Sequence, residues 1–433
     1  MLVEIHMIQN HSPSNLNRDD LGAPKSCTFG GVTRARISSQ CLKRSIRNPG
    51  NSNDVHNKGA SLFVEAMREH TGIRTKYFPE MVRQALNDSS VPDEEWDRVV
   101  QACTSIAKKE VQIGDEDVQE PGDSDERHKL PQLVLLERTE ANAFVHVLEA
   151  MRTSDEWSAS YRQWIAGKLQ KRPLAAFLRE LSRAYSRRSV DIAMFGRMTT
   201  SDAFEDVEAA MQVAHAISTH QAVSDVDYFT AVDDLGELGG GAGHVDEAMF
   251  NSACFYKYFA LDWDQLISNL GGSSSSALAA SALGHFIRAA AMTTPTGKQN
   301  SFAAHNLPDG ILVEVKRTGK IPVNYANAFV EPVAMNAPRG VVGMSIAQLG
   351  QYVHQIAEGY GIDSRRFWFS PGGRYQLTWI ERCQKGEPTE REVVAGEDSH
   401  ARFDDFVSVV VQEVSGLEWN RVKDPDGFLP EAT

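Results

Sequence analysis

The period of the apolar residues changes twice along this chain, and that double change limits the fold more than any single motif. Leu2 to Asn10 has strand length, with Val3, Ile5 and Met7 alternating loosely with Glu4, His6 and Gln9. Such a pattern reads as a central strand, buried on one face and partly covered on the other. From about residue 57 to 188 the period becomes helical: Trp96, Val99, Val100, Cys103 and Ile106 recur every 3.6 residues, as do Leu174, Phe177, Leu178, Leu181 and Tyr185. These stripes read as helix core. Alternation then returns in VDIAMFGR (Val190 to Arg197), read as a strand ending in a glycine turn. It continues in Met211 to Thr219, where Met211, Val213, His215 and Ile217 share one side, and in the aromatic-rich run Phe250 to Leu261. At 433 residues the chain is too long for one ordinary core. The order strand, helices, strands, helix, strand therefore predicts an α+β domain into which a helical block and an arm are inserted.

The punctuation agrees. HSPSNLN, after the first strand, is a loop by composition. The arm carries four glycines within Gly239 to Gly243, and no GK[ST] follows them, which excludes a phosphate-cradling P-loop. Ser276 caps the helix ALAASALGHFIRAAAM, TPTGKQN is a turn with one cation at Lys298, and Ile311 to Val315 is a strand. Ser345 to Tyr360 is a helix halted at Gly361. Beyond Pro371 the pattern weakens to a strand over Arg374 to Ile380 and an apolar run from Phe403 to Val411, to which no role attaches.

The net charge of -14 argues at first against a nucleic-acid partner, because neutralising phosphates takes lysines and arginines. Its distribution reverses that. Residues 1 to 50 hold seven Lys and Arg against three Asp and Glu, whereas the rest of the chain holds 37 against 55. This describes a basic face on an acidic body. Within it, Lys25, Arg34, Arg36, Lys43, Arg44 and Arg47 follow one another with no acid between them. Ser38 and Ser39 are N-cap residues for a helix, QCLKRSIR, which Asn48-Pro49-Gly50 stops. On it Gln40, Lys43, Arg44 and Arg47 fall three and four apart and share a face. A capped, amide-rich helix start with cations behind it suits phosphate. Gly30-Gly31 would let backbone approach a ligand closely.

Catalytic machinery is hard to find. There is no GxSxG, no HExxH and no HxE with PCxxC. Asp19-Asp20 and Asp233-Asp234 are neighbours whose side chains diverge, so they read as caps or ion-pair partners. His215 and His220 point to opposite faces if extended, and His6 and His11 read as structural histidines beside the basic stretch. No cofactor or metal is expected. The five cysteines form no CxxC pair, which fits a reducing cytoplasm, and no run approaches the roughly 20 apolar residues needed to cross a bilayer. What remains is a binding constellation. By spacing alone, Met198 and Phe229 belong to the core.

Three blocks in order, HSPSNLNRDDLGAPKSCTFGG with RARISSQCLKRSIR, then VDIAMFGRMTTS, then AHAISTHQAVSDVDYFTAVDDL, resemble the backbone subunit of the type I-E CRISPR Cascade complex, the CasC family. ANAF (Ala326 to Phe329) and EGYG (Glu358 to Gly361) extend the resemblance loosely to about residue 362. It implies a right-hand shape on an α+β fold: a modified RNA-recognition-motif (ferredoxin-like) palm over residues 1–56, 189–219 and 249–362, inserted helical fingers over 57–188, a thumb hairpin over 220–248, and a C-terminal extension over 363–433. It further implies a filament of copies along a guide RNA (crRNA), base pairing of the guide with target DNA, contacts with other Cascade subunits, and no membrane. By matched position Arg18, Lys25, Ser38, Gln40, Lys43, Arg44 and Arg47 would face guide phosphates, and Met198 and Phe229, with Thr230, would frame a displaced base. The acidic loop 111 to 130 and the tail beyond about 372 depart from the family pattern. The related type III backbone subunits cut target RNA with a loop aspartate, so a metal-dependent ribonuclease using Asp19 or Asp20 is the alternative.

Overall fold

The computed structural model describes residues 1–47, 62–67, 70–104, 106, 129–182, 189–199, 201, 203–231, 244–272, 275–381 and 387–425. The chain divides into two compact units. Met1–Arg68, Met211–Asp264 and Ser276–Thr433 form the first, and Glu69–Ala210 with Gln265–Ser275 the second. The strands are β1 (Leu2–Ser14), β2 (Ser26–Phe29), β3 (Val32–Ile37), β4 (Ile73–Thr75), β5 (Val134–Leu136), β6 (Met211–Val213), β7 (Ala216–Ser218), β8 (Ser224–Ala231), β9 (His244–Asp262), β10 (Gly310–Lys316), β11 (Arg365–Phe369), β12 (Thr378–Glu381), β13 (Thr389–Glu392) and β14 (Ser399–His400).

The first unit is built on a ten-stranded sheet in the order β14-β11-β10-β1-β9-β7-β3-β2, with β6 and β8 also paired to β9. β1 is central, antiparallel to β10 on one side (Ile5 opposite Val313) and to β9 on the other (Ile5 opposite Phe259). It runs through Ser14 with a bulge after His11, so HSPS belongs to the strand and not to a loop. One sheet face carries Ile8, Tyr256, Leu312 and Trp368 against Tyr325, Phe329 and the helix Gly340–Tyr360, which Gly361 ends in the left-handed conformation. The other carries Phe255, Ala253, Ala35 and Ile37 against Leu42 of the helix Ser39–Arg47.

Glu4 and His6, the polar members of the first alternation, are fully buried. Glu4 is ion-paired with Lys316 and accepts from Tyr258 Oη at 2.5 Å and from the Val323 N–H at 2.6 Å. Glu314, across the sheet, accepts from Arg366 Nε and Ser364 Oγ at 2.8 Å and from Tyr325 Oη at 2.7 Å. Both buried carboxylates thus have hydrogen-bonded company, as the low dielectric demands.

Two further sequence readings are corrected. VDIAMF is a helix, Val190–Phe195. Its first five residues are all buried, so no period separates helix from strand in so short an apolar run. Asp191 near the helix start accepts the Ile192 and Gly72 N–H groups. Met211 to Thr219 is not one strand. Met211 to Val213 pair with Leu261 to Phe259, but Ile217 faces Tyr256, a slip of one residue at Ala214-His215. Such a bulge reverses the facing of the residues beyond it, so Ile217 is on the opposite side from Val213.

The tail gains a structural account. β11 adds to the edge of β10, and the apolar run at 403 is a helix, Phe403–Ser415, whose Phe406, Val407, Val410, Val411 and Val414 are buried. Trp419 presses on the helix Ser276–Met292 where Gly284 stands; a Cβ there would lie 2.2 Å from the indole. The strand anticipated from Arg374 begins at Thr378.

In the second unit the helices Phe78–Leu86, Asp93–Cys103, Glu140–Thr153, Ser158–Ile165 and Lys171–Ser182 enclose Val99, Val100, Cys103, Phe144, Phe177 and Leu181. Leu174 and Trp96 pack at its margin. Tyr185, the acidic run 111–128, the glycines 239–243, Asp233-Asp234, Asn48-Pro49-Gly50 and Cys383 lie outside the described residues; Cys27, Cys41, Cys103 and Cys254 are free thiols. Among the described residues no helix is long and apolar enough to cross a membrane.

Candidate nucleic-acid interface

The basic stretch folds as three linked pieces. After β1 the chain turns through Asn15 to Lys25, forms the β2–β3 hairpin, and enters the helix Ser39–Arg47. Asn17 ties them together: its Oδ1 accepts the Ser38 N–H at 2.9 Å and its carbonyl accepts the Lys25 N–H at 2.8 Å. Ser38 is the N-cap, its Oγ accepting the Cys41 N–H at 3.3 Å. Buried at 8% exposure, Ser38 keeps one hydroxyl proton to donate.

The stretch surrounds a cleft of about 530 Å³ lined in part by Arg18, Asp19, Asp20, Cys41, Arg44 and Gly297. Arg18, Gln40 and Arg44 are exposed, and Lys25, Lys43 and Arg47 are half-buried. Arg18, Lys25, Lys43 and Arg44 form no ion pair with a described residue, in contrast to cations elsewhere on this unit: Arg317 is paired with Glu413, Arg339 with Glu390, Arg365 with Asp398 and Arg391 with Glu381. Arg18 and Arg44 line the cleft with Asp19 and Asp20 at its rim, and Lys25 and Lys43 on the same stretch tip the local balance to positive, which suits an anion.

Arg34 leaves the cationic set. It is fully buried, donating to the carbonyls of Phe29, Ser218, Phe329 and Val330 at 2.7 to 3.3 Å, and burial lowers its pKa. Arg34→Met is therefore expected to lower stability by about 2–4 kcal/mol through orphaned carbonyls, read as a shift in denaturant midpoint, while the salt dependence of any RNA binding stays as in the parent. Arg36 bonds the Ser26 carbonyl and donates to His215 Nδ1 at 3.1 Å; burial and this cation lower the His215 pKa. Gly30-Gly31 is required by the chain itself. Both have positive φ in a two-residue hairpin turn, and a Cβ on Gly30 would strike the Val330 carbonyl at 1.9 Å.

Asp19 holds its own loop: Oδ1 accepts the N–H groups of Leu21 and Ala23, both at 2.9 Å. Asp20 is exposed beside it, and no group of three or more metal-ligating side chains occurs among the described residues. His6 and His11 are buried; His6 Nδ1 contacts Tyr256 Oη at 2.8 Å, and His11 Nδ1 donates to the Ala304 carbonyl at 3.3 Å. Met198, in the second unit, is 96% exposed. Phe229 and Thr230 lie on β8, which pairs with β9 as a hairpin (Phe229 opposite Asp246) and is exposed from Ser224 to Thr230. Phe229 is 47% exposed, so neither it nor Met198 is core.

Sequence reasoning missed Leu21, 93% exposed at the tip of the Asp19-held loop, and Thr296-Gly297 in the cleft wall. Gly297 is there because its Cα abuts the carbonyls of Asn15 and Leu16; a Cβ would come within 2.5 Å of both. The glycine in TPTGKQN was the only signal in the sequence.

The family model described as CT1975-like protein matches residues 3–389. No curated protein matches the sequence significantly. A solved chain of a "CRISPR RNA-guided surveillance complex, pre-nicking" superposes with a TM-score of 0.71 at 25% identity, over 96% of this chain and 100% of that one. A chain of a "CRISPR RNA-guided surveillance complex" superposes with a TM-score of 0.62 at 21% identity, over 95% of this chain and 100% of that one, and speaks for the fold alone.

Proposed function

The chain belongs to the CT1975-like family, and on that premise we propose that it is the guide-RNA-binding backbone subunit of a CRISPR RNA-guided surveillance complex of the type I-E Cascade kind. The palm, in this reading a modified RNA-recognition fold, holds guide phosphates on the basic stretch, and copies of the chain line up along the guide as a filament in the cytoplasm. The observation that carries the reading is the run Arg18, Lys25, Lys43 and Arg44, without an ion pair among the described residues and with Arg18 and Arg44 lining one cleft, on a unit whose surface cations outside the basic stretch are mostly ion-paired, as Arg288, Arg317, Lys320, Arg339 and Arg365 are. Arg47 and Gln40 lie on the same helix and extend the phosphate track. Met198 and Phe229, with Thr230, each offer exposed surface for base contact. Aromatic and apolar contacts of this kind tolerate any base, so sequence is left to guide pairing with target DNA.

The subunit acts without catalysis in this reading: Asp19 is committed to its loop, and Asp20 stands exposed beside it without a cluster of metal-ligating side chains among the described residues. The test is co-purification. The chain expressed with the other Cascade subunits and a guide is expected to carry RNA, seen as a raised ratio of absorbance at 260 to 280 nm that falls on RNase treatment. A nucleic-acid-free monomer under those conditions sinks the proposal. Incubating the assembled complex with complementary RNA and magnesium is expected to leave the RNA intact; regularly spaced products absent from Asp19→Ala would establish the ribonuclease instead.

A further inference from the structure

Beneath the cleft, five buried polar atoms have no hydrogen-bond partner among the described residues: Gln9 Oε1, His11 Nε2, Ser14 Oγ, Asn15 Oδ1 and Gln299 Oε1. Four belong to side chains held firmly by their other end. Gln9 Nε2 donates to the Asn306 carbonyl at 2.5 Å, His11 Nδ1 to that of Ala304 at 3.3 Å, Asn15 Nδ2 to those of Gly22 and Met249 at 2.9 and 2.8 Å, and Gln299 Nε2 to that of Pro295 at 2.9 Å. The orphaned atoms are therefore fixed as acceptors. Gln9, His11 and Ser14 share one face of β1, the bulge keeping Ser14 in phase, since they face Phe255, Ala253 and Asn251 of β9. On that same face β9 presents Lys257, opposite Met7, only 1% exposed and without an acid within ion-pair distance among the described residues. This face packs under Leu42 and Cys41 of the helix Ser39–Arg47, and Cys41 also lines the cleft.

A buried ammonium without a carboxylate, on the sheet face that also carries the orphaned acceptors Gln9 and His11, is a combination that native cores avoid unless water or function compensates. The acceptors are matched in kind to water, which bridges several groups at once. We propose that Lys257 is an electrostatic member of the guide-binding cleft, its ammonium carried by bridging water on Gln9, His11, Asn15 and Gln299 under the cleft floor at Cys41, where its field strengthens the hold on guide phosphates. The proposal rests on the guide-binding reading above and adds to it a cation that does not touch the guide. Charges on a buried group are screened less by salt than those at the surface, so a single such lysine reaches the phosphates through the helix.

The groups facing this site are His11 from β1, Cys41 and Arg44 from the helix, Lys25 before β2, His305 from the 295–306 segment, and Asp19 and Asp20 at the cleft rim. Burial lowers the Lys257 pKa to about 8, and burial together with Lys257 lowers that of His11 to about 3, so His11 stays neutral while Lys257 titrates. Burial raises the Cys41 thiol and keeps it neutral. A phosphate above the site favours protonated Lys257, so by linkage guide binding takes up protons near that pH, and affinity falls as pH rises through it.

The experiment is fluorescence anisotropy of a labelled single-stranded guide RNA with the guide-free full chain, from about pH 7 to about pH 9.5. The parent is expected to lose roughly three- to tenfold in affinity across that range, at most one proton's slope. Lys257→Met should bind more weakly at neutral pH and show a flat profile; Lys257→Arg, charged throughout, should keep the neutral-pH affinity and also be flat. A parent profile without slope, or a Lys257→Met variant with the parent's slope, overturns the role. Should the variants fail to fold, titration calorimetry of the parent near pH 8 in buffers of different ionisation enthalpy decides alone: proton uptake on binding supports the role and none overturns it. An RNA that fails to bind at any pH overturns the guide-binding reading itself, whereas pH-independent binding removes only Lys257.

Discussion

Replacing Lys43 and Arg44 together by alanine is expected to flatten the log-log salt dependence of guide binding by about 1.4, from about 0.7 per phosphate contact on a single strand, and to weaken binding at physiological salt by roughly 15-fold. Both residues project from the helix Ser39–Arg47, Arg44 exposed and Lys43 half-buried, and neither is ion-paired with a described residue. Alanine is the best helix former, and the buried residues of that helix, Leu42, Ser45 and Ile46, are untouched, so the fold should survive. In a filament the loss multiplies, because each copy's grip raises the effective concentration for its neighbours. The measurement is anisotropy of a labelled guide over a salt series. The control is Arg317→Ala with Arg365→Ala, two cations already paired with Glu413 and Asp398, for which the slope should not move. An unchanged slope in the first variant would remove Lys43 and Arg44 from the phosphate track.

The largest stability effect is expected at Lys316. Its ammonium and the Glu4 carboxylate are both fully buried and ion-paired, and the ammonium also donates to the Ile321 carbonyl at 3.0 Å. Lys316→Met leaves a carboxylate buried without its cation and should destabilise the first unit by about 3–5 kcal/mol. Pairing it with Glu4→Gln, which removes the stranded charge, should recover much of that loss, and the cycle gives the coupling. Chemical denaturation followed by circular dichroism reads both.

The adjoining Glu314 gives this network a pH signature. Burial pushes its carboxyl up, but the His6 ring, whose Nε2 lies 3.5 Å away, with Arg366 and Lys316, outweighs burial and holds it well below the usual carboxylate range. The unfolded chain takes up that proton near the ordinary glutamate value of about 4.3, the folded chain only far below it. Glu314's contribution is therefore complete above that value and declines as pH falls beneath it. Glu314→Gln should flatten the acid limb of the stability profile; an unchanged limb would assign acid sensitivity elsewhere.

Much of this was readable from residues. The helical stripe Val99, Val100, Cys103 is core, the central strand at Leu2 is central, and the serine-capped helix starts at Ser39. These follow from local period and capping, which act over a few residues. VDIAMF was misread because a run buried on all sides has no period, and Met211 to Thr219 because a bulge is set by its partner strand β9. The tail stayed silent for a similar reason: the meaning of Arg365–Phe369 lies in the edge of β10, and that of Trp419 in Gly284, far away along the chain.

The sequence alone determined that a basic segment without interior acids sits on an acidic α+β chain, because charge order and periodicity are properties of neighbours in the chain. It could not decide which of those cations face a ligand. Arg34 is sealed among four backbone carbonyls while Arg44 stands at the cleft, and Lys257, distant in sequence, is brought beneath it by the register of β1 on β9. Whether a charge is compensated depends on atoms contributed by distant strands, and only the folded chain brings those atoms together.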